Sequence, residues 1–349
     1  MKAYIKLFLT AIIIALACGN TLACEAEGDD VNSAHFGFID GHADTITAAM
    51  ESGQGLFAND LHLDIERLRA FGTPVQVFAI WLDDKYVADA FAYTNTVIDF
   101  FESELAEHDE YIRLALSLED MERNARDGVI SAVLAIEGGE PLEGKIENLD
   151  HFYERGVRML TLTWNRENAL GYGAATGSTK GLKPFGAEVV QRCDELGIII
   201  DVSHLNESGF KDVCELGTRP FVASHSNARA VTSNRRNLTD AQIQAVADKG
   251  GLIGMNFYPG FLVTSGTASY GDIHKHIKHM IEIGVGDHIG LGCDFDGVET
   301  LPKGIDGVQS LNEFNDKLID DFGAETAEAI MYNNYRAFFG RFFGEPCAP

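Results

Sequence analysis

The sequence predicts a (β/α)8 barrel, a TIM barrel, that forms one domain. Short apolar runs alternate with segments of helical periodicity along most of the chain. The runs are apolar almost throughout, as in parallel strands that are covered on both faces. There are eight such runs, which favours a closed barrel over an open doubly wound sheet, and 349 residues is an ordinary length for this fold.

The predicted strands are separated mostly by predicted helices, such as 185–196 and 239–248. The strands are residues 37–40, 74–81, 130–137, 158–163, 197–201, 220–224, 251–256 and 288–293. Neither G-x-G-x-x-G nor G-x-x-x-x-G-K-[ST] follows the first strand, which removes the usual nucleotide-binding signals. No Pro- or Gly-rich linker divides the chain after the leader. We therefore expect residues 25–349 to form the barrel as a single domain.

The first 24 residues are typical of a signal peptide. Lys2 and Lys6 precede an apolar run at 7–17, which is too short for a comfortable membrane span. Small residues and a cysteine follow twice, at Cys18 and at Cys24. Lipid attachment at either cysteine and simple cleavage are both compatible with this segment. We expect an exported protein, periplasmic or extracellular, with anchoring as a lipoprotein as the alternative to a free form.

The charge balance limits the partners. The chain has 27 Lys and Arg against 53 Asp and Glu, a formal net charge of -26. Such a surface repels phosphate backbones, so no nucleic-acid partner is expected. Four cysteines beyond the leader (Cys193, Cys214, Cys293 and Cys347) do not make a disulfide framework in a chain of this length. A pair between Cys193 and Cys214 and the oligomeric state, a homodimer included, stay open.

Metal-capable side chains recur at the carboxyl ends of the predicted strands. They are His42 and Asp44 after the first strand, Glu137 at the end of the third, His204 after the fifth, His225 after the sixth and Asp294 after the eighth. In a parallel barrel these ends share one face, where active sites form. Three imidazoles and three carboxylates suit zinc or a similar divalent ion. The number of ligands fits two metal ions that share a carboxylate better than one.

Each of these residues carries little weight alone. A histidine at a strand end is often only hydrogen-bonded, and an aspartate there is often the N-cap of the next helix. Coincidence across five strands is far rarer, so we interpret the set as a metal centre. His274, His276 and His279 lack this pattern. They lie in a helical stretch beside Lys275 and Lys278, and we interpret them as a solvated helix face.

A series of short motifs runs in order over nearly the whole chain after the leader. They are DGHAD at 40–44, DIERLR at 64–69 followed by Gln76, IEGG at 136–139, GVRMLTLT at 156–163, GLKPFG at 181–186, DVSH at 201–204, SHS at 224–226, NRRNL at 234–238, NFY at 256–258 and DFDG at 294–297. Each motif is weak alone, but the ordered set is specific. In this set the chain resembles the membrane dipeptidases, the renal-dipeptidase-like peptidases (family M19) among the amidohydrolase-type barrels.

The resemblance implies a zinc dipeptidase with two Zn²⁺, or other divalent ions, that hydrolyses small dipeptides and tolerates a D-residue at the carboxyl-terminal position. In this reading His42 and Asp44 bind one ion, His204 and His225 bind the other, and Glu137 bridges both. A metal-bridging hydroxide would attack the scissile carbonyl. Asp294 would orient the hydroxide and carry its proton to the leaving amine.

The resemblance also implies substrate contacts. Arg236 would hold the terminal carboxylate of the dipeptide with its planar fork, with the adjacent Arg235 as the alternative. Tyr258 would line the pocket, although a tyrosine at this position also suits the core.

One position departs from the family pattern. Trp164 stands where animal members carry a histidine thought to contact the substrate. An indole can pack against the substrate but cannot donate to an oxyanion as a charged imidazole does, so Asn165 and Asn168 are the candidates to replace that contact. The departure keeps a second function open: hydrolysis of another bond, in an N-acyl amino acid, a cyclic amide or a lactone. A non-catalytic solute-binding homologue is the third.

Overall fold

The computed structural model describes residues 37–343, so the predicted leader and Cys347 lie outside the described residues. The described chain contains parallel strands that form a single sheet. Their bounds are β1 (Ile39–Ala43), β2 (Val75–Ile80), β3 (Ile112–Leu114), β4 (Ile130–Glu137), β5 (Val157–Thr161), β6 (Ile199–Asp201), β7 (Val222–Ala223), β8 (Leu252–Met255) and β9 (Ile289–Leu291).

Eight of these strands close into a barrel. β1 pairs with β9, and β2 pairs with β4, so the ring runs β1, β2, β4, β5, β6, β7, β8, β9. The predicted TIM barrel is therefore confirmed. β3 lies outside the ring and pairs with residues 130–132 of β4, below the point where β5 begins to pair at Leu134. Sequence reasoning missed β3 because Arg113 interrupts its apolar run and only Ile112 of its three residues is fully buried.

Helices cover the outside of the barrel. The α-helices are α1 (Thr45–Ser52), α2 (Ile65–Leu68), α3 (Ala90–Glu107), α4 (Leu118–Arg126), α5 (Ile146–Glu154), α6 (Pro184–Leu196), α7 (Glu207–Leu216), α8 (Asp240–Asp248), α9 (Pro259–Leu262), α10 (Tyr270–Glu282), α11 (Leu311–Phe322), α12 (Ala324–Glu328) and α13 (Asn334–Phe343). A π-helical turn at Ala329–Asn333 joins the last two, and short 3-10 segments lie at Arg69–Phe71, Asp84–Asp89, Glu140–Leu142, Ala174–Thr176, Gly286–His288 and Val308–Ser310.

The two helices named from the sequence show why these boundaries form. α6 starts with Pro184 in its first turn and ends at Gly197, which takes the left-handed conformation (φ 77°) that favours glycine. α8 starts at a capping box in which the side chains of Thr239 and Gln242 satisfy each other's backbone N–H groups. Among the described helices, none combines the length and apolar character needed to cross a membrane.

The inside of the barrel is filled by apolar side chains. Ile39, Val75, Ile199, Val222 and Leu252, the first residues of five strands, form one buried cluster with aromatic residues of α13. Tyr335, Phe338 and Phe339 supply these aromatic rings, and all three are fully buried. α13 therefore closes the amino-terminal end of the barrel and leaves the carboxyl-terminal end for other residues.

The expectation of a solvated histidine face on α10 is wrong for two of its three residues. His274 and His276 are buried, and only His279 is partly exposed. Nδ1 of His276 accepts a hydrogen bond from the Ala228 N–H (3.1 Å), so its Nε2 carries the proton and faces the Leu262 carbonyl (3.3 Å). The charge pattern misled the prediction because the lysines of α10 lie on the outer side of an amphipathic helix.

The structure shows whether three of the cysteines form disulfides. Cys193, Cys214 and Cys293 are free thiols, so the Cys193–Cys214 pair left open by the sequence does not form. Cys293 is fully buried between Gly292 and Asp294, as expected for a small buried hydrophobe.

Candidate metal centre

The carboxyl-terminal rim of the barrel gathers all six metal-capable side chains. His42 lies in β1 and Asp44 follows it, Glu137 ends β4, and His204, His225 and Asp294 follow β6, β7 and β9. All six are buried, with residue exposures between 1% and 8%. Because parallel strands bring their carboxyl ends to one rim, residues up to 252 positions apart meet there.

Glu137 lies in the middle of the cluster. Its Oε2 is 3.8 Å from Nε2 of His42. Its Oε1 is 3.0 Å from Nε2 of His204 and 3.5 Å from Nε2 of His225. The two oxygens of one carboxylate thus face two different sets of side chains, an arrangement that suits a ligand shared by two metal ions.

The two sets can be described separately. His42 Nε2 lies 3.7 Å from Asp44 Oδ2 and 4.0 Å from Asp294 Oδ1. Ligand atoms of His42, Asp44 and Asp294 all lie within 4.8 Å of one another, and so do those of Glu137, His204 and His225. The rings of His42 and His225 approach to 4.0 Å between centroids, so the sets are adjacent.

The donor atoms fit divalent metal ions. His42 Nε2, His225 Nε2 and Asp44 Oδ1 are buried without a hydrogen-bond partner in the described part of the chain. Buried polar atoms are nearly always paired, so orphaned imidazole and carboxylate atoms that face one cluster fit the ligands of a cation. Imidazole nitrogens and carboxylate oxygens are the zinc ligands of catalytic sites.

Hydrogen bonds from outside the cluster orient two of the imidazoles. His204 Nδ1 donates to the Asn165 side-chain carbonyl (2.9 Å). His225 Nδ1 donates to Ser224 Oγ (2.8 Å), which in turn donates to Asp201 Oδ2 (2.7 Å). Both Nε2 atoms are left unprotonated and aimed at Glu137, as metal ligation requires.

Asp201 is the candidate that sequence reasoning missed. It ends β6, is fully buried, and accepts hydrogen bonds from the Thr161 hydroxyl (2.6 Å) and from the backbone N–H groups of Ser203 and Ser224 (2.9 Å each). It also forms a ligand-capable group with His42 and His225. The available signal was a carboxylate as the last residue of an apolar strand, the same signal that identified Glu137.

The backbone around the cluster is held in an unusual conformation. His204, Asp294 and Asp296 have φ values of 66°, 61° and 66°, in the left-handed region. Among the described residues only one other non-glycine residue, Glu143, has a positive φ. Such conformations concentrate at functional sites because the surrounding structure must enforce them.

The electrostatics of the cluster follow from burial and from its charges. Burial lowers the pKa of His42, but the carboxylates of Asp44, Glu137 and Asp294 outweigh it and raise that pKa to about 10. Burial raises the pKa of Glu137 well above its ordinary range and that of Asp294 to about 6. The buried carboxylates therefore need a positive charge beside them, which a metal ion supplies as well as a proton does.

The other two histidines titrate in the opposite direction. Burial, followed by the positive charge of Arg236, lowers the pKa of His204 well below its ordinary value. Burial and the neighbouring His42 do the same for the pKa of His225. Both imidazoles are thus neutral, the form that binds a metal ion.

A cleft of about 590 Å³ opens over the cluster. Its lining includes Asp44, Glu137, His204 and Asp294 from the cluster, together with Trp81, Trp164, Asn165, Tyr258, Phe261, Asp296 and the segment 297–300. Tyr258 is 38% exposed, so it is a cleft residue rather than a core residue. Asn165 lines the cleft and also holds His204, whereas Asn168 is buried and bonded to its own loop at Leu162, Leu170 and Gly171.

The two arginines considered from the sequence differ in position. Arg236 is 7% exposed and donates from Nη2 to the His225 carbonyl (3.2 Å), while its Nε lacks a partner among residues 37–343. Its guanidinium carbon lies 5.2 Å from the centroid of the Phe261 ring. Neither arginine is among the residues that line the cleft, but Arg235 is exposed, whereas Arg236 is buried beside the cluster.

Comparisons with known proteins agree with the fold. The family model of the membrane dipeptidases (peptidase family M19) matches residues 31–338. The crystal structure of the dipeptidase AC, an M19 metallopeptidase, superposes with a TM-score of 0.83 at 27% identity, covering 89% of this chain and 99% of that one. A metallopeptidase from Rhodobacter sphaeroides, liganded with a phosphinate mimic of the dipeptide L-Ala-D-Ala, superposes with a TM-score of 0.80 at 25% identity, covering 88% and 99%. An uncharacterized dipeptidase from Schizosaccharomyces pombe is 29% identical over 296 residues, 79% of this chain and 71% of the relative.

Proposed function

Because the chain belongs to the membrane dipeptidase family, peptidase family M19, we propose that it hydrolyses small dipeptides with two divalent metal ions, Zn²⁺ in the first instance. The observation that carries the proposal is the position of Glu137, whose two oxygens face two sets of ligand-capable side chains. Tolerance of a D-residue at the carboxyl-terminal position is part of the proposal. It is supported by the ligand of the Rhodobacter sphaeroides relative, a mimic of L-Ala-D-Ala.

The chemistry divides between the metal ions and the chain. When bound, the ions supply Lewis acidity toward a carbonyl oxygen and lower the pKa of water toward neutrality. His42, Asp44, Glu137, His204 and His225 would hold them. The chain's remaining tasks are to move a proton and to orient the substrate.

In this proposal Asp294 holds and moves the proton. Its Oδ2 accepts a hydrogen bond from the Asn256 side-chain amide (2.9 Å), which fixes the carboxylate, while Oδ1 faces the cluster beside His42. A fixed carboxylate at this point can accept a proton from the attacking water and deliver it to the leaving amine. Its left-handed backbone (φ 61°) holds the side chain in that direction.

In this proposal Arg236 binds the carboxylate of the dipeptide. Its guanidinium is buried beside the cluster, and its Nε is free of partners in the described chain. Contact with the Phe261 ring orients the planar fork, and such a fork matches a carboxylate with two parallel hydrogen bonds. Tyr258 lines the cleft, packs edge to face on the same Phe261 ring with 4.8 Å between centroids, and would contact the carboxyl-terminal residue of the substrate.

The proposal is tested by metal analysis combined with a dipeptide assay. Purified protein should contain about two divalent ions per chain, hydrolyse dipeptides such as Ala-D-Ala, lose this activity with a chelator and regain it with Zn²⁺. Asp294→Asn should retain the metal and lose roughly a hundredfold or more in turnover. Hydrolysis that continues after complete metal removal would refute the mechanism.

A second function stays in view because of Trp164. An indole cannot stabilise a developing oxyanion as a charged imidazole does. The preferred substrate can therefore differ from a dipeptide. N-acyl amino acids retain the carboxylate that Arg236 would bind and offer an apolar acyl group to the cleft. Higher kcat/KM for N-acyl amino acids than for all dipeptides tested would favour this alternative.

A further inference from the structure

The only two tryptophans of the chain lie side by side in the cleft. Trp81 follows β2 and Trp164 follows β5. Their rings meet edge to face, with 5.2 Å between centroids and an interplanar angle of 65°. This arrangement is favourable for aromatic pairs and gives the cleft one continuous indole wall.

Arg166 holds the two tryptophan-bearing loops together. Its guanidinium carbon lies 5.2 Å from the centroid of the Trp164 ring. The same group forms an ion pair with Asp84, three residues beyond Trp81, and its Nε lies 3.7 Å from Glu140 Oε1. A wall fixed in this way loses little side-chain entropy when a ligand packs against it.

The surface of the wall is largely carbon. Trp81 Nε1 is buried and has no hydrogen-bond partner in the described chain, so it offers no N–H group to the cleft. Trp164 extends the wall to the metal-capable cluster, because its ring lies 6.3 Å from that of His204. A side chain bound against this wall would therefore be attached to an atom close to the scissile bond.

The topology sets which end of a substrate meets the wall. β2 and β5, which carry Trp81 and Trp164, flank β4, the strand that ends in Glu137. In the ring of eight, β8 lies four strands from β4, on the opposite side of the barrel. Tyr258 follows β8, and Arg236 follows the neighbouring β7.

We propose that Trp81 and Trp164 form the subsite for the side chain of the amino-terminal residue and give the enzyme a preference for a large apolar or aromatic residue there. The inference rests on the proposed dipeptidase function. With the substrate carboxylate held by Arg236 and the scissile bond over Glu137, the amino-terminal residue extends toward the indole wall. Burial of a Phe or Leu side chain there corresponds to roughly a tenfold to hundredfold gain in kcat/KM over glycine.

The first test compares dipeptides on the metal-loaded protein. We expect kcat/KM to be at least about tenfold higher for Phe-Gly and Leu-Gly than for Gly-Gly, with no comparable gain for Gly-Phe. Trp81→Ala and Trp164→Ala should each reduce the ratio of Phe-Gly to Gly-Gly. Tyr86→Ala is the matched control: this aromatic residue lies in the same loop as Trp81 but stacks on Tyr93 (3.8 Å) and does not line the cleft, so the ratio should be retained.

Equal rates for Phe-Gly and Gly-Gly would overturn the inference while the dipeptidase function stands. So would a preference for Lys-Gly over Phe-Gly, which would assign the subsite to the acidic rim at Glu299 instead.

The second test does not depend on turnover. Because Trp81 and Trp164 are the only tryptophans, fluorescence excited at the red edge of the absorption band, where tyrosine does not absorb, reports on this wall alone. Trp81→Phe and Trp164→Phe each leave one reporter, which is titrated with phosphinate mimics of Phe-Gly and Gly-Gly. We expect the Phe-Gly mimic to change the emission of both reporters and to bind at least about tenfold more tightly than the Gly-Gly mimic.

If no dipeptide is hydrolysed, the proposed function fails, and fluorescence alone decides the inference. A response of both reporters to the Phe-Gly mimic then supports an aromatic subsite. Absence of a response from either reporter overturns it.

Discussion

At the amino ends of the barrel strands, Tyr335, Phe338 and Phe339 of α13 fill the interior with aromatic carbon. At the carboxyl ends of the same strands, carboxylates and imidazoles are buried at comparable depth around Glu137. The amino-terminal end, the lower end of the barrel, is a packed apolar core, in which the Tyr335 hydroxyl is buried without a hydrogen-bond partner among residues 37–343. The rim differs because its orphaned atoms are imidazole nitrogens and a carboxylate oxygen that face one cluster, beside residues with left-handed backbone, a combination that suits a ligand site.

The two ends of the barrel thus differ in what they contribute: residues at the amino-terminal end stabilise the fold, and residues at the carboxyl-terminal rim form the candidate site. Packing at the amino-terminal end stabilises the fold. That stability allows the carboxyl-terminal rim to hold the carboxylates of Asp44, Glu137 and Asp294 close together. The boundary lies near Tyr335, whose hydroxyl reaches toward Gly41 in the strand that carries His42. Changes at the rim should therefore remove function without loss of stability, and changes at the lower end should do the reverse.

The largest effect is expected from Glu137→Gln, which keeps the shape of the side chain but removes its charge. The protein should lose bound metal and roughly a thousandfold or more in dipeptide turnover, because metal ions contribute several kcal/mol to the reaction. Burial raises the pKa of Glu137, so the ionised carboxylate is unfavourable in the metal-free fold. Urea denaturation of the metal-free variant should show no loss of stability. A marked decrease in the free energy of unfolding would mean that the rim also stabilises the fold.

Phe339→Ala tests the opposite end. Phe339 is fully buried between Tyr335 and Phe338, with ring centroids 5.7 and 5.6 Å away. Its truncation should lower the free energy of unfolding by about 3–5 kcal/mol and leave metal content unchanged. Phe343→Ala, at the half-buried end of the same helix, is the control and should lower stability less. Loss of metal at temperatures where Phe339→Ala remains folded would contradict this difference between the two ends.

The buried imidazole of His276 should make the stability of the protein depend on pH. Burial lowers its pKa to about 4, and it binds backbone groups of two rim loops at Ala228 and Leu262. The unfolded chain takes up this proton near the ordinary value of about 6.5, so stability is unaffected above that pH and falls between pH 6.5 and 4. The loss should reach about 3 kcal/mol in the metal-free protein.

The measurement is urea denaturation of the metal-free protein at pH 7 and at pH 4. The difference in unfolding free energy between the two pH values should be about 3 kcal/mol smaller in His276→Gln, because a glutamine does not titrate. An identical pH dependence in both proteins would show that His276 does not contribute.

The smallest effect is expected from Ser224→Ala. The variant removes the acceptor of the His225 Nδ1–H and one partner of Asp201. Loss of such a supporting contact should weaken metal affinity about 10- to 100-fold, with activity recovered at high metal concentration. Ser226→Ala is the control, because the Ser226 hydroxyl is buried without a partner within residues 37–343. Equal metal affinity in both variants would show that the Ser224 contact does not orient His225.

Most of the barrel could be predicted because its strands are buried on both faces. Such strands appear in the sequence as continuous apolar runs, and each barrel strand overlaps a predicted one. The predicted site residues could be collected because they follow those runs, and the structure brings them to one rim. Whether they act as ligands stays a prediction that the metal analysis tests.

What the sequence missed depends on burial. His276 resembles a surface residue in the sequence, and only the packing of α10 shows that it is buried and hydrogen-bonded. Asp201 did carry a sequence signal, as the carboxylate that ends an apolar run, but its hydrogen bonds to Thr161, Ser203 and Ser224 are visible only in the fold. The tryptophan pair is a further case. Trp81 and Trp164 lie 83 positions apart, and the sequence does not indicate that they touch.

By itself, the amino-acid sequence determined the number of barrel strands, their parallel order and the chemical types at their carboxyl ends, because these follow from local patterns of apolar and polar residues. Only the tertiary structure decided that Glu137 lies between the two groups of side chains, that Asn165 and Ser224 orient the histidines, and that the tryptophans form a wall. The reason is physical: closure of the barrel sets distances across its rim, and these distances join strands that share no local pattern.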